Sequence, residues 1–210
     1  MAKKVLEILN KVSAITKNSH IVLTTGRHTD GYINLDKLIP YTQDFSKIGR
    51  IFAEKYKDKV IDVVAGPAVG GILLSQWVAY HLSKLYKKEV LAVFTEKDPQ
   101  KNQILERGFK KLVKGKKILV VEDFTTTGGS VKAAVKAVQA AGGRVMEICV
   151  ILNREPDRVN SRTMGIPFKS LDNFEVDSWL EEECPLCQKG VPINTSVGHG
   201  KQYLQKKDKM

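Results

Sequence analysis

Nine consecutive residues, Glu122-Asp123-Phe124-Thr125-Thr126-Thr127-Gly128-Gly129-Ser130, bring together two carboxylates, four hydroxyls and two glycines. They follow the apolar run Ile118-Leu119-Val120-Val121, which reads as a buried parallel strand. They precede a stretch in which Val131, Ala134, Val135 and Val138 fall at i, i+3, i+4 and i+7, the spacing of a helix with one apolar face. A strand, a loop of small residues and a helix N-terminus make a phosphate monoester site: backbone amides converge, the helix dipole favours negative charge and the hydroxyls add donors. Glu122 and Asp123 would repel that phosphate. They suit neutral hydroxyls beside it, such as those of a ribose 5-phosphate.

A second loop, Ala65-Gly66-Pro67-Ala68-Val69-Gly70-Gly71, also joins a strand to a helix, and its amides can meet a pyrophosphate without any cationic side chain. A tight structural turn would use the same residues. Between Thr95 and Gln103 no apolar residue anchors the chain, so a mobile exposed loop is expected there, with Lys97 and Lys101 placed to close over an anion. A solvated hairpin is the competing reading. Arg154 follows an apolar strand, which puts its guanidinium at a ligand end, where bidentate pairing with a planar anion is favoured over a plain surface charge.

Cys149 lies in the strand-like run Val145–Leu152 and reads as a small buried hydrophobe. Cys184-Pro185-Leu186-Cys187 has the spacing of two zinc ligands, and His199 offers a third, but a fourth is not evident, so a local turn is the default. No metal site built from side chains is therefore expected.

The elements that must position these groups follow from the pattern. Val5–Ile15 reads as a helix. Ile21–Leu23 and Tyr32–Leu35 read as short strands around a polar turn, and a further helix covers about Gln43–Tyr56. Strands at Val60–Ala65, Val90–Phe94, Lys117–Val121 and Arg144–Leu152 alternate with helices at Ile72–Leu85 and Ser130–Ala141. That alternation implies an α/β fold with a doubly wound parallel sheet, whose ligands bind at the carboxyl ends of the strands. The expected division is residues 1–40 as an N-terminal hood, 41–170 as the core and 171–210 as an extension with a basic tail.

The 210 residues fit one α/β domain with an appendage, and 42% apolar residues exclude a disordered chain. No apolar run is long enough to span a membrane and no secretory apolar segment opens the chain, so a cytoplasmic protein is expected. The net charge is +11. Eleven Lys and Arg against four Asp and Glu fall between Lys84 and Lys117. With 7% aromatics and no nucleic-acid motif, a phosphorylated substrate explains part of this excess and solvated lysines most of the rest.

The segment Glu122–Ser130 resembles the phosphoribosyl pyrophosphate (PRPP) motif of type I phosphoribosyltransferases. Ser19-His20-Ile21-Val22-Leu23-Thr24-Thr25-Gly26-Arg27-His28-Thr29-Asp30-Gly31-Tyr32-Ile33-Asn34 is similar to the N-terminal signature of the orotate phosphoribosyltransferases. Gly66-Pro67-Ala68 followed by Gly71-Ile72 is similar to that family's pyrophosphate loop. Cys184-Pro185-Leu186-Cys187 with Gly190 and Pro192 looks like the tail of one subset. The resemblance implies a type I fold with a small hood and transfer of ribose 5-phosphate from PRPP to a nucleobase. Orotate would be the acceptor, in pyrimidine biosynthesis, with Mg2+ held through PRPP oxygens. It implies PRPP binding by Ala65, Gly66, Pro67, Val69 and Gly70, and by Glu122, Asp123, Phe124, Thr125, Thr126, Thr127, Gly128, Gly129 and Ser130. Glu122, Asp123, Lys97 and Lys101 would be catalytic, and Thr24, Tyr32, Ile33, Thr126 and Arg154 would meet the base. It also implies a homodimer in which the loop 95–109 acts across the interface.

The chain departs from that pattern at Thr24, where many members have lysine, and at Val69-Gly70, where an aromatic–lysine pair is usual. The loop from Glu96 to Lys101 lacks the usual arginine and histidine. Two alternatives stand beside orotate transfer: a purine phosphoribosyltransferase, and a non-catalytic PRPP sensor that binds nucleic acid through the basic stretch Lys110–Lys117. A sugar-phosphate kinase would need a lysine after the glycines, where Ser130-Val131 stands.

Overall fold

A computed structural model describes residues 2–23 and 25–207. Thr24, named above for the base, lies outside the described residues. The chain divides into two compact units, one holding Leu38–Phe174 and the residues up to Ile8, the other Leu9–Lys37 and the chain from Glu175 onward.

Helix α1 (Ala2–Lys11) begins the chain, with Val5 and Leu9 wholly buried. It ends four residues earlier than the apolar spacing predicts. Ser13 turns left-handed at φ 54° and the Ala14 amide returns to the Leu9 carbonyl at 2.8 Å, which releases Ile15 to start a strand. Strand β1 (Ile15–Val22) and strand β2 (His28–Ile33) then pair antiparallel, Val22 opposite His28 and Ile15 opposite Ile33.

The larger unit continues with α2 (Thr42–Lys55), β3 (Val63–Pro67), α3 (Gly70–Tyr86), β4 (Leu91–Lys97), β5 (Gln103–Ile104), α4 (Phe109–Val113), β6 (Lys117–Thr125), α5 (Gly129–Ala140), β7 (Arg144–Asn153), α6 (Ser161–Met164) and β8 (Phe168–Asn173). Its six strands run in the order β5-β4-β3-β6-β7-β8. All neighbours are parallel except β4 and β5, which form a hairpin. The mostly parallel sheet is the α/β fold expected from the alternation.

Parallel strands covered on both faces must be apolar throughout. Every residue of β3 is buried, and so are Ile118–Val121 of β6 and Ile148–Leu152 of β7. Cys149 is among them, and burial pushes its thiol up to about 12, in keeping with an inert core residue. Val131, Val135 and Val138 of α5 pack into the same cluster, so the helical stripe seen in the sequence faces the sheet. Helices α2 and α3 approach so closely that a methyl group on Gly49 would lie 2.6 Å from Cβ of Trp77.

The smaller unit adds β9 (Ser178–Trp179), α7 (Pro185–Gln188) and α8 (Gly200–Lys207). Strand β9 pairs antiparallel with β2, so the N-terminal hairpin gains a third strand from the far end of the chain. Arg27 fastens this pairing: Nε donates to Ser178 Oγ at 3.1 Å and Nη2 to the Ser178 carbonyl at 2.5 Å. Among the described residues no helix is long and apolar enough to cross a membrane.

Candidate active site

In the strand order of the larger unit, the chain leaves β3 toward β4 on one side and returns to β6 on the other. The crevice between the carboxyl ends of β3 and β6 is therefore the switch point where open α/β sheets bind ligands. The two glycine-bearing loops of the sequence flank it. One lies between β3 and α3, the other between β6 and α5.

Glu122 and Asp123 lie within the last four residues of β6, one buried and one half-buried. Burial, and then the neighbouring Asp123 charge, push the Glu122 carboxyl well above the usual carboxylate range, while the Asp123 amide and the Lys97 ammonium act the other way. The pair thus sets a buried carboxyl, its pKa raised, beside an acid nearer the surface. The Asp123 amide donates to Glu122 Oε1 at 3.2 Å, and the Phe124 amide donates to Asp123 Oδ1 at 2.7 Å. These contacts hold both carboxyls against the backbone.

Thr125, at the end of β6, is 5% exposed, and its Oγ1 accepts the Gly128 amide at 2.9 Å, which closes the loop. Gly128 has φ 75°, where L side chains are strained, and a Cβ there would stand 3.0 Å from Met164 Sδ. The chain then enters α5 with Thr127, Gly129 and Ser130 exposed. The start of this 12-residue helix, flanked by the hydroxyls of Thr127 and Ser130, is suited to a dianion.

Across the crevice, β3 ends in buried Ala65, Gly66 and Pro67, and the Ala68–Val69 peptide is cis. Gly66 has no room for a side chain, since a Cβ would lie 2.1 Å from the Gly71 carbonyl oxygen. At Gly70 a Cβ would lie 2.0 Å from Oδ2 of Asp123. The predicted pyrophosphate loop and the predicted ribose carboxylate are thus in direct apposition. Val69 is 68% exposed beside them.

The stretch expected to be a mobile loop is instead a hairpin. Strand β4 runs on to Lys97, and Glu96 and Lys97 pair with Ile104 and Gln103 of β5. Two polar residues anchor it where no apolar one does: Thr95 is wholly buried and its Oγ1 donates to Gln103 Oε1 at 2.6 Å. Asp98 closes the turn by accepting the Asn102 amide at 2.7 Å. Arg107 clamps the base of the hairpin with two hydrogen bonds of 2.8 Å to Glu96. Lys97 and Lys101 are exposed, Lys101 with φ 65° at the turn.

Arg154 follows β7 directly, and its amide donates to the Thr125 carbonyl at 2.9 Å, so it is tied to the end of β6. The sequence did not single out Asn153. It is 2% exposed, and its Nδ2 donates to the Val159 carbonyl at 2.8 Å while its Oδ1 accepts the Glu155 amide at 3.2 Å. A buried amide at a strand end, next to a candidate ligand residue, was the available signal. Tyr32 and Ile33 belong to β2 in the smaller unit, half-buried and 4% exposed respectively.

A mostly parallel α/β sheet with a phosphate loop, an acidic strand end and a second glycine loop at its switch point defines a type I phosphoribosyltransferase. The chain matches the phosphoribosyl transferase domain family over residues 41–181. It is 39% identical over 191 residues to the orotate phosphoribosyltransferase of Caldanaerobacter subterraneus, covering 91% of this chain and 94% of that one. It is 33% identical to the enzyme of that name from Thermus thermophilus, over 90% and 97% of the two chains. Its fold is similar to the crystal structure of Mycobacterium tuberculosis orotate phosphoribosyltransferase with Fe(III) dicitrate, with a TM-score of 0.66, 24% identity, and 81% and 96% of the chains covered. The chain belongs to the orotate phosphoribosyltransferase family.

Proposed function

We propose that this protein transfers ribose 5-phosphate from PRPP to a ring nitrogen of orotate and releases pyrophosphate. The apposition of Gly70 and Asp123 carries the reading: it sets a loop suited to a leaving pyrophosphate against a carboxylate suited to ribose hydroxyls. The amides of the first turn of α5, with the hydroxyls of Thr125, Thr126, Thr127 and Ser130, bind the 5-phosphate. Holding one end of the sugar there fixes C1 beside the β3–α3 loop, and such positioning supplies much of the rate.

Asp123 accepts a ribose hydroxyl proton in a hydrogen bond and lies near the positive charge that develops at C1 as pyrophosphate departs. Glu122 presents a second carboxyl to the same hydroxyls. Lys97 and Lys101 meet the leaving pyrophosphate. Arg154 orients the orotate carboxylate, with Thr126 beside the ring. The donors fit Mg2+: two adjacent carboxyls, one of them buried, leave the ion to take most of its oxygen ligands from PRPP and water. That ion would neutralise charge on the leaving pyrophosphate. A homodimer, with the hairpin from Thr95 to Phe109 reaching the partner's site, and a cytoplasmic location complete the proposal.

The test is pyrophosphate release with PRPP, Mg2+ and a panel of orotate, uracil, adenine, hypoxanthine and xanthine. Release with orotate alone is expected. Asp123→Asn should lower turnover about tenfold or more while leaving the melting temperature intact. Turnover only with a purine overturns the acceptor, and no release with any base overturns the activity.

A further inference from the structure

The smaller unit gathers four side chains that the transferase reading does not use. His20 in β1, His28 in β2, and Cys184 and Cys187 at α7 place one nitrogen or sulfur each within 4.8 Å of one another. Three of the four are buried. From this geometry we infer a structural zinc site with two imidazole and two thiolate ligands.

The ligand atoms are assigned by the hydrogen bonds around them. His20 Nδ1 stands 2.7 Å from the Val191 carbonyl oxygen, which can only accept, so Nδ1 carries the proton and Nε2 presents its lone pair inward. Nε2 is 3.7 Å from each of the Cys184 and Cys187 sulfurs, and His28 Nδ1 is 3.3 Å from Cys187 Sγ. A zinc ion with bonds of about 2.0–2.1 Å to nitrogen and 2.3 Å to sulfur sets tetrahedral nitrogen–sulfur edges of about 3.6 Å. Those edges match. The two nitrogens, at 2.8 Å, stand closer than the roughly 3.3 Å such a tetrahedron requires, so filling the site spreads the imidazoles slightly.

Without an ion the cluster is poorly satisfied. His28 Nδ1 must donate to His20 Nε2 at 2.8 Å. Two thiols, weak donors at best, supply the rest. Sulfur and imidazole together select a borderline-soft cation over Mg2+ or Ca2+. Four protein ligands leave no open position for substrate water, so the ion is structural. His199, which the sequence offered as a third donor beside the two cysteines, is not in the cluster. The backbone around the ligands is built to hold them: the Asn194 amide donates to the His20 carbonyl at 2.7 Å and the His199 amide to the Val22 carbonyl at 2.8 Å. The ion would fasten the segment after β9 to the N-terminal hairpin, in a unit drawn from two stretches of 29 and 36 residues, a size at which domains commonly depend on metals or disulfides.

The experiment uses the full chain purified without chelators. Elemental analysis should give about one zinc per chain, falling at least tenfold in Cys184→Ser and Cys187→Ser and unchanged in Cys149→Ser. Because the first two variants could fail to fold, metal-stripped parent protein is also titrated with Co2+. Visible d–d bands of tetrahedral cobalt and a thiolate-to-cobalt charge-transfer band, saturating at one equivalent and lost on zinc addition, support the site. A folded parent chain that is metal-free as purified and gives no such spectrum overturns it. So does a Cys184–Cys187 disulfide found by thiol counting, or metal loss in Cys149→Ser equal to that in the other two.

Discussion

Gly70→Ala separates positioning of the acidic residue from stability of the fold. The new methyl group would fall 2.0 Å from Asp123 Oδ2, whereas ordinary contact begins at 3.4 Å. The carboxylate must therefore retreat by about 1.4 Å, and a misplacement of about 1 Å at a reacting centre costs on the order of 100-fold in rate. That is about 2.7 kcal/mol of transition-state stabilisation. The stability terms are smaller and opposed. Alanine at the first position of α3 gains about 0.5–1 kcal/mol over glycine, and rotating a half-buried carboxylate away costs a similar amount. We expect kcat/KM for PRPP to fall roughly 100-fold, read by pyrophosphate release with orotate, while the melting temperature stays within about 3 °C. A variant within about threefold of the parent, under conditions where Asp123→Asn is impaired, refutes the role given to this apposition. An equal loss of activity and fold refutes the steric argument.

Other expectations follow from the same loop. Burial raises the Glu122 pKa, so its favourable contribution is complete below its ordinary value of 4.5 and is lost as pH rises through the folded value. Glu122→Gln should therefore raise the melting temperature at pH 8, by about 2–4 °C for each kcal/mol relieved, and lose that advantage near pH 4. Parallel curves for variant and parent exclude this. Thr125→Val keeps the volume but strands the Gly128 amide, at a cost of about 1–3 kcal/mol in urea unfolding. Thr127→Ala, whose Oγ1 accepts the Gly129 amide at only 3.4 Å in an exposed position, should change stability by under about 0.5 kcal/mol. If the two substitutions cost the same, the Thr125 bond does not close the loop.

The larger unit was legible because its signals are local. Unbroken apolar runs such as Ile118–Val121 admit only buried strands, and the α5 stripe has a single period, so the helices fall within two residues of expectation and the strands within four. The loop between β6 and α5 was legible for the same reason: all its groups are contiguous. What failed rested on partners that hydropathy does not reveal. Thr95–Gln103 looked unanchored because its anchor is polar, Thr95 to Gln103, and hydropathy carries no trace of a buried hydrogen bond. Val60 reads as strand by type, yet it is 54% exposed and β3 begins at Val63. Strand β9 has two residues, too few for any periodicity. Cys184 and Cys187 advertised half a tetrahedron; the other half, His20 and His28, sits in a signature segment whose resemblance to a substrate hood hid any second use.

The smaller unit has a temporal consequence. His20 leaves the ribosome early, but Cys184 lies 164 positions later and the Val191 carbonyl 171 positions later. The hairpin must wait, while the contiguous stretch from Leu38 to Phe174 can condense as it emerges. A metal clip across about 160 residues restricts the unfolded chain by about 5 kcal/mol in the loop-entropy account, near the upper end for any single cross-link. Translation that stops short of Cys184 would thus release a chain whose catalytic sheet is complete and whose first hairpin is still unfastened.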